Sequence, residues 1–244
     1  MGAVSMFKYL AAHLMMTLVC MYLAGAAAVE YNVVSLGAKQ GGKVDAAKPF
    51  LSAWASACGS AKAATVRVPN GTFLLSPVVF KGPCKNKGIK FFIDGTLVAP
   101  TSGGSKDWIR FERVEGVSVY GGTLDGRGAR LWACKTGGGS NCPRGDNSLT
   151  INRSKKVKIS KLTSIDSKLF HIWINGCDGV DVDAVKLIAP DNSPNTDGIH
   201  VQVSTGITIT KSTITTGDDC ISVGPGTFAL RVERVFCGPG HGIR

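Results

Sequence analysis

Four side chains able to carry acid/base chemistry recur at a regular spacing near the end of the 244-residue chain. They lie in three short motifs, NTDG at 195–198, GDDC at 217–220 and GHG at 240–242. Each motif is followed by an isoleucine, and the three isoleucines are 22 residues apart: Ile199, Ile221 and Ile243. Two positions before them stand Asp197, Asp219 and His241, and Asp218 adjoins Asp219. Crowded carboxylates repel, so we expect at least one raised pKa and an available proton.

One protonated acid beside a carboxylate pair that holds water meets the needs of glycosidic bond hydrolysis. Aspartate and asparagine are also common turn residues that bond backbone amides, and either aspartate alone would be read that way. Three acids and a histidine in one register favour the catalytic interpretation.

The elements that must position these groups repeat along the chain. Val157, Val180, Ile207 and Leu230 begin units of 23, 27 and 23 residues. Repeats of this size without helical or leucine-rich periodicity predict an all-β solenoid, a right-handed parallel β-helix. Residues at matching positions of neighbouring coils then stand about 4.8 Å apart.

Short β-rich runs between turn residues are the predicted strands. They are 66–68, 91–93, 117–120, 157–159, 180–182 and 207–209. One helix is predicted over 45–57, with Asp45 as N-cap and an apolar stripe of Ala47, Phe50, Leu51 and Trp54. We expect this helix to cover the open edge of the first coil.

Residues 1–28 are predicted to be a secretory signal peptide, with Lys8 before an apolar run and small residues at 26–28. The alternative, a transmembrane anchor, is weaker because the apolar run is short. We therefore expect a soluble, exported protein with one domain at 29–244.

Without the signal, 27 basic and 17 acidic residues leave a charge of +10. Such a charge suits an acidic polysaccharide, a nucleic acid or a membrane surface. The basic cluster at 153–161 is interpreted as the solvated face of a strand.

Seven cysteines remain after residue 28. In an oxidising compartment they predict disulfides rather than metal ligands, and we expect no metal and one unpaired cysteine. Asn70 and Asn152 begin N-glycosylation triplets, which are typical of secreted proteins.

The three motifs, in this order and spacing, resemble the signature of polygalacturonases, the pectin-hydrolysing glycoside hydrolases. Further segments resemble the plant branch, and the likeness covers essentially all of 29–244. They are YNV at 31–33, FLSAW at 50–54, VPNGTF at 68–73, GTLVAP at 95–100 and GTLDG at 122–126.

The resemblance implies a pectin-lyase-like β-helix that hydrolyses α-1,4 bonds of polygalacturonate with inversion. It implies Asp218 as general acid, Asp197 and Asp219 as the pair that activates water, and His241 as the group that tunes their protonation. Asn195 and Gln202 are candidate sugar-binding residues. No cofactor is expected. We expect a monomeric extracellular protein of the cell wall that binds neither nucleic acid nor, once the signal is removed, membranes.

Disulfide pairing is also implied by the resemblance. Cys220 would pair with Cys237, and these two also lie in adjacent repeats that bracket the catalytic turn. Cys134 with Cys142 would close a glycine-rich loop, and Cys58 with Cys84 is the third pair. Cys177 is then the odd one, either a buried thiol or the partner of a cysteine outside this chain.

Family members continue past GHG through further coils, with an Arg-Ile-Lys motif that grips the substrate carboxylate. This chain ends at Arg244, where the family usually carries serine, so we expect a C-terminally truncated member with its last coils missing. Its activity is expected to fall by orders of magnitude without that motif, since substrate positioning supplies several kcal/mol of the reduction in the activation barrier. The alternatives are a non-catalytic pectin-binding or allergen-like protein, and a pectate lyase, which would need calcium and an arginine base.

Overall fold

The computed structural model describes residues 28–102, 104–139 and 141–244. The predicted signal peptide lies outside the described residues except for Ala28. In the described part, the chain winds through three parallel β-sheets of eight, seven and six strands. One coil contributes one strand to each sheet in turn, so the fold is the predicted all-β parallel solenoid.

The strands of each sheet follow one another in chain order. The eight-stranded sheet contains β1 (Val29–Asn32), β2 (Ala64–Val68), β5 (Ile89–Ile93), β8 (Val117–Tyr120), β11 (Lys155–Ser160), β14 (Asp178–Asp183), β17 (Thr205–Thr210) and β20 (Phe228–Glu233). The seven-stranded sheet contains β3 (Thr72–Leu74), β6 (Thr96–Val98), β9 (Thr123–Asp125), β12 (Thr163–Ile165), β15 (Lys186–Ile188), β18 (Thr213–Thr215) and β21 (Phe236–Cys237). The six-stranded sheet contains β4 (Val78–Lys81), β7 (Asp107–Glu112), β10 (Asn147–Asn152), β13 (Ile172–Asn175), β16 (Ile199–Gln202) and β19 (Ile221–Val223). Two helices, α1 (Ala47–Gly59) and α2 (Ala129–Thr136), interrupt the coils.

The register of the solenoid is the one that the repeats predict. Val157 pairs with Val180, Val180 with Ile207, and Ile207 with Leu230 in four successive strands of the eight-stranded sheet. The first three side chains are almost completely buried. The side-chain period of a strand is two, so a stack of aliphatic residues in one register specifies which face lies inside.

Helix α1 packs against β1, β2 and β4 and covers the first coil, as predicted. Its details differ from the prediction. The N-cap is Ala46, while the Asp45 carboxylate accepts the Ala47 N–H at 3.1 Å and the Ser76 N–H at 2.8 Å. Leu51 is exposed, and the buried stripe is Phe50, Ala53, Trp54 and Ala57. The helix thus presents a face that begins at Phe50 rather than at Ala47.

Aromatic rings fill the solenoid beneath α1. Phe80 lies 5.0 Å, between ring centroids, from both Phe91 and Phe111, and Trp54 lies 5.4 Å from Phe80. Trp54 Nε1 also donates to the Lys81 carbonyl at 3.1 Å, so its one polar group is satisfied. These rings join the capping helix to the first coils.

The sequence did not predict α2. This eight-residue helix buries the adjacent residues Leu131 and Trp132, which form no i, i+3, i+4 stripe. A disulfide between Cys134 and Cys142 ties its end to the following loop. A short helix stabilised by such local contacts leaves little periodic signal.

The predicted disulfides are formed. Cys58 pairs with Cys84, Cys134 with Cys142 and Cys220 with Cys237. Cys177 is buried and free, and burial raises the pKa of its thiol to about 11. At neutral pH the Cys177 side chain is therefore a protonated part of the core.

The basic cluster at 153–161 lies in and beside β11. Lys155, Lys156 and Lys158 are exposed on β11 while Val157 and Ile159 are buried, so the basic cluster is the solvated face of a strand. No helix in the described residues is long and apolar enough to cross a membrane.

The structure argues against Asn152 as a glycosylation site. Its side chain is 5% exposed, and its Nδ2, the atom that would carry the glycan, donates to Glu112 at 2.8 Å. Asn70 lies exposed beside β3, and its modification stays a prediction.

Candidate active site

The three motifs lie in the same turn of three successive coils. Asp197 precedes β16, Asp218 and Asp219 precede β19, and His241 follows β21. Ile199 pairs with Ile221, and Ile221 forms a parallel bridge with Ile243. The 22-residue spacing of the isoleucines therefore reflects the coil repeat, as predicted, because each isoleucine occupies the same position in its own coil.

Glycines allow these turns to stack closely. A Cβ on Gly217 would lie 2.4 Å from the Ser193 carbonyl oxygen. Gly240 has a φ of +117°, and a Cβ there would lie 2.3 Å from the Asp218 carbonyl oxygen. Any larger residue would force the coils apart at the point where the acidic groups must meet.

Asp218 lies at the centre of the cluster. Its Oδ1 is 3.1 Å from His241 Nδ1 and accepts the Asp219 N–H at 2.9 Å. Its Oδ2 accepts the backbone N–H of Asn195 at 3.2 Å. The carboxyl group is thus oriented from two neighbouring coils and has one histidine within proton-transfer distance.

Asp219 is more deeply buried, with 4% of its side chain exposed. Arg244 Nε donates to Asp219 Oδ2 at 3.1 Å, and His241 Nδ1 lies 3.6 Å from Oδ1. Among the described residues, no group donates a hydrogen bond to the buried Oδ1. Asp219 therefore combines a cationic partner on one oxygen with an unengaged acceptor on the other.

Asp197 is buried and has the raised pKa that the sequence predicts for at least one of the carboxyls. Burial raises its pKa above the usual range, and the nearby charges of Asp218 and Asp219 raise it further. A hydrogen bond from Ser222 Oγ to Asp197 Oδ2 at 2.5 Å and the charge of His200 act in the opposite direction. The net result is a carboxyl group that keeps its proton to a higher pH than an ordinary aspartate.

Asp218, Asp219 and His241 also offer one potential ligand atom each within 4.8 Å of one another. Carboxylate oxygens and an imidazole nitrogen suit several divalent cations. The same groups are those of an acid/base site, and the absence of a metal stays a prediction.

The two candidate sugar-binding residues lie in different settings. Asn195 is exposed, and its Oδ1 accepts a hydrogen bond from Lys135 Nζ of α2 at 3.5 Å, which places a cation beside the turn that carries Asp197. The Gln202 side chain is half-buried and engaged, donating to Asn175 Oδ1 at 3.0 Å and facing His200 at 3.3 Å. A role of Gln202 in sugar binding stays a prediction.

The sequence reasoning missed Ser222, His200 and Arg244. His200 and Ser222 each follow one of the repeated isoleucines, and the two pair in register on the outer face of the six-stranded sheet. This shared position after the repeated isoleucines is the sequence signal that could have identified His200 and Ser222 as neighbours. No repeat points to Arg244, whose contact with Asp219 depends on the parallel bridge between Ile221 and Ile243.

Comparison with known proteins agrees with this geometry. Residues 58–244 match the family model described as glycosyl hydrolases family 28. The chain belongs to this family. It is 53% identical over 222 residues to a polygalacturonase of Prunus persica, covering 89% of this chain and 56% of the relative. It is 41% identical over 220 residues to an exopolygalacturonase of Platanus acerifolia, covering 87% of this chain and 57% of the relative.

Solved structures of family members and their neighbours share the fold. A polygalacturonase from Erwinia carotovora superposes with a TM-score of 0.68 at 23% identity, covering 89% of this chain and 65% of that one. An endo-xylogalacturonan hydrolase from Aspergillus tubingensis gives 0.72 at 21% identity, covering 88% and 60%. The chain spans about half the length of the curated relatives it matches.

Proposed function

We propose that the site hydrolyses α-1,4-galacturonosyl bonds of polygalacturonate with inversion at the anomeric carbon. The observation that carries this proposal is the stack of Asp197, Asp218 and Asp219 on one turn, with His241 3.1 Å from Asp218. A glycosidase of this kind needs one acid and one base on opposite sides of the scissile bond. Membership of family 28 and the names of the plant relatives support the same reaction.

In this proposal Asp218 is the general acid that protonates the leaving oxygen. It is the most accessible of the three carboxyls, with 17% of its side chain exposed, and it contacts an exposed histidine. His241 adjusts its protonation and restores its proton after each turnover.

Asp197 and Asp219 hold and deprotonate the attacking water. Asp219 Oδ1 is buried without a donor from the described residues, so it can accept a hydrogen bond from that water. Arg244 donates a hydrogen bond to Asp219 Oδ2 and holds that carboxyl in place, while burial beside two other acids makes Asp197 a stronger base than an exposed aspartate. Binding and activation of water are thereby divided between two groups.

We also propose that the protein is secreted and acts as a monomer in the cell wall, with residues 29–244 as one domain. Three disulfides support an oxidising compartment. The formal charge of +10 on residues 29–244, from 27 basic and 17 acidic residues, supports an acidic polysaccharide as substrate.

The test measures bond cleavage by the purified chain and by Asp218→Asn. We expect slow release of reducing ends from polygalacturonate, falling by a further ~10²–10⁴-fold in Asp218→Asn because general acid catalysis is lost. Proton NMR of a fresh digest should show the β-anomer of the new reducing end first.

The matched control is Asp191→Asn, which removes the same charge from an exposed position in the turn that carries Asp197. Its rate should equal that of the unaltered chain. Cleavage that survives Asp218→Asn, or the α-anomer as first product, would contradict the proposal. So would the absence of any cleavage by a folded chain that binds oligogalacturonide.

A further inference from the structure

A row of polar side chains crosses the outer face of the six-stranded sheet. Glu112, Asn152, Asn175 and Gln202 occupy the same register position in four successive strands. Asn152 Nδ2 donates to Glu112 Oε2 at 2.8 Å, and Asn175 Nδ2 donates to Asn152 Oδ1 at 2.6 Å. Gln202 Nε2 donates to Asn175 Oδ1 at 3.0 Å. The four side chains form a continuous hydrogen-bonded row.

The row has a direction because Glu112 is ionised. Burial opposes its charge, but hydrogen bonds from Asn152 and Arg110 outweigh burial and hold the pKa of Glu112 below its usual range. A carboxylate can only accept hydrogen bonds, so each amide must turn its nitrogen towards Glu112 and its oxygen away. The far end of the row is therefore an acceptor, Gln202 Oε1, which lies 3.3 Å from His200 Nε2.

The other ring nitrogen of His200 faces the acidic cluster. His200 Nδ1 lies 2.7 Å from Ser222 Oγ, which in turn lies 2.5 Å from Asp197 Oδ2. In one state of this network, Asp197 is a carboxylate and the single hydroxyl proton of Ser222 points to it. Ser222 must then accept from His200 Nδ1, and Gln202 accepts from Nε2. Both nitrogens carry protons in that state, so His200 is an imidazolium.

We propose that His200 is a positioning residue that shares one proton with Asp197 through Ser222. In one state Asp197 is a carboxylate and His200 an imidazolium. In the other, the Nδ1 proton has passed to Ser222 Oγ, the Ser222 proton has passed to Asp197, and His200 is neutral with its remaining proton on Nε2. One proton moves across the pair and no net charge is gained or lost.

The charged surroundings agree with a shared proton. Asp218 and Asp219 face Asp197 from the next coil, and their negative charge draws the proton towards Asp197. His200 is stacked 4.8 Å, between ring centroids, from Phe170 and lies 6.5 Å from Trp173, neither of which carries a charge.

Other ionisable groups lie at the margins of this network. Lys106 Nζ lies 4.6 Å from the centroid of the Trp173 ring, and Arg110 is paired with Glu112. Arg244 and His241 contact Asp219 and Asp218 and reach Asp197 only through them. No described cation other than His200 is hydrogen-bonded, directly or through Ser222, to Asp197.

For the proposed hydrolysis, the shared proton determines whether Asp197 is ionised and able to act as a base. While His200 is charged, Ser222 donates to Asp197 and keeps it a carboxylate able to take a proton from water. When His200 loses one proton, Gln202 retains the other on Nε2, so Nδ1 becomes an acceptor and draws the Ser222 proton away from Asp197. This inference deepens the proposed function and depends on it only for that consequence.

The first experiment determines the protonation of His200 by nitrogen-15 NMR of histidine-labelled chain, with signals assigned by comparison with His200→Gln. We expect both nitrogens to be protonated in the intermediate pH range, where Asp197 is a carboxylate and the pair still holds its shared proton. At higher pH, where that proton is lost, we expect the neutral Nε2–H tautomer. A neutral ring protonated on Nδ1 would overturn the proposal. The result is independent of hydrolysis and holds whether or not the proposed function is correct.

The second experiment breaks the bridge with Ser222→Ala. In the unaltered chain, the Asp197 carboxyl carbon and the His200 nitrogens should share titration midpoints, as coupled sites do. In Ser222→Ala these midpoints should separate. Shared midpoints that survive in Ser222→Ala, or separate midpoints in the unaltered chain, would overturn the proposal.

The matched control is Ser164→Ala. Ser164 Oγ lies 2.9 Å from His171 Nδ1, which is a more deeply buried serine–histidine contact with no hydrogen bond to Ser222. This variant should alter the His171 signals and leave the shared midpoints of Asp197 and His200 unchanged. A loss of coupling in Ser164→Ala would show that general loosening of the fold, rather than the bridge, is being measured.

Discussion

At the residue scale, the site concentrates negative charge where burial opposes it. Asp197 has a raised pKa because it is buried and faces two further carboxyls. Such a group favours the folded state at low pH, and this contribution is lost as pH rises through its folded-state pKa. At neutral pH the ionised Asp197 therefore costs stability, and the hydrogen bond from Ser222 offsets part of that cost.

Asp197→Asn should raise the free energy of unfolding at pH 7 by about 0.5–2 kcal/mol, the usual gain when a strained functional group is neutralised. The amide oxygen can still accept from Ser222. This gain in the free energy of unfolding should shrink towards pH 3, where the Asp197 carboxyl of the unaltered chain is protonated in both the folded and the unfolded state. Urea unfolding at both pH values measures it.

Asp191→Asn, exposed on the same turn, should change stability by less than about 0.5 kcal/mol. An Asp197→Asn gain as large at pH 3 as at pH 7 would show that charge is not its cause.

At the element scale, the candidate site is built by the turns before β16 and β19 and by the equivalent turn of the next coil. Stacking brings Asp197, Asp218 and His241 together although they are separated by more than twenty residues in the chain. The disulfide between Cys220 and Cys237 closes a 17-residue separation and joins the turn of Asp219 to the coil that leads to His241. It therefore constrains the relative position of acid and histidine.

Replacing both Cys220 and Cys237 with serine should lower the free energy of unfolding by about 3 kcal/mol, as expected for a loop of this length. It should also speed amide hydrogen exchange in residues 216–220 and 238–242. Exchange measured by mass spectrometry distinguishes this local effect from global loosening.

The comparison is the double serine variant of Cys134 and Cys142, which should affect mainly α2 and its loop. If both double variants loosen the 216–220 turn equally, the disulfide does not hold the site.

At the scale of the whole molecule, the solenoid presents a strongly cationic surface to solvent. Twenty-eight basic residues exceed seventeen acidic ones, and the basic side chains of β11 lie on its outer face. A surface of this sign raises the local concentration of an anionic polymer, and the effect weakens as salt screens the charges.

Binding of polygalacturonate to the Asp218→Asn variant should weaken by about tenfold or more between 50 and 500 mM NaCl, because screening lengths fall below the spacing of surface charges. Titration calorimetry of the non-hydrolysing variant measures Kd at each salt concentration. Fully methyl-esterified polymer lacks the carboxylates, and its weaker binding should not depend on salt. Equal salt dependence for both polymers would contradict a role for polymer charge.

The sequence by itself determined the solenoid, its register and the membership of the acidic cluster. Valine and isoleucine repeats specify the buried face, and one residue of slippage would expose it, so Ile199 and Ile221 had to pair. The resemblance of its motifs to a known family implied which cysteines pair.

Tertiary structure decided what depends on neighbours remote in the chain. Leu51 is exposed because α1 turns its Phe50 face to the coil, and Asn152 is unavailable to a glycan because Glu112, forty residues earlier, binds its amide. The hydrogen bonds that join His200 to Asp197 pass through a serine 22 residues away. Hydrogen bonds between side chains of different coils follow from stacking distance and direction, which local sequence patterns do not contain.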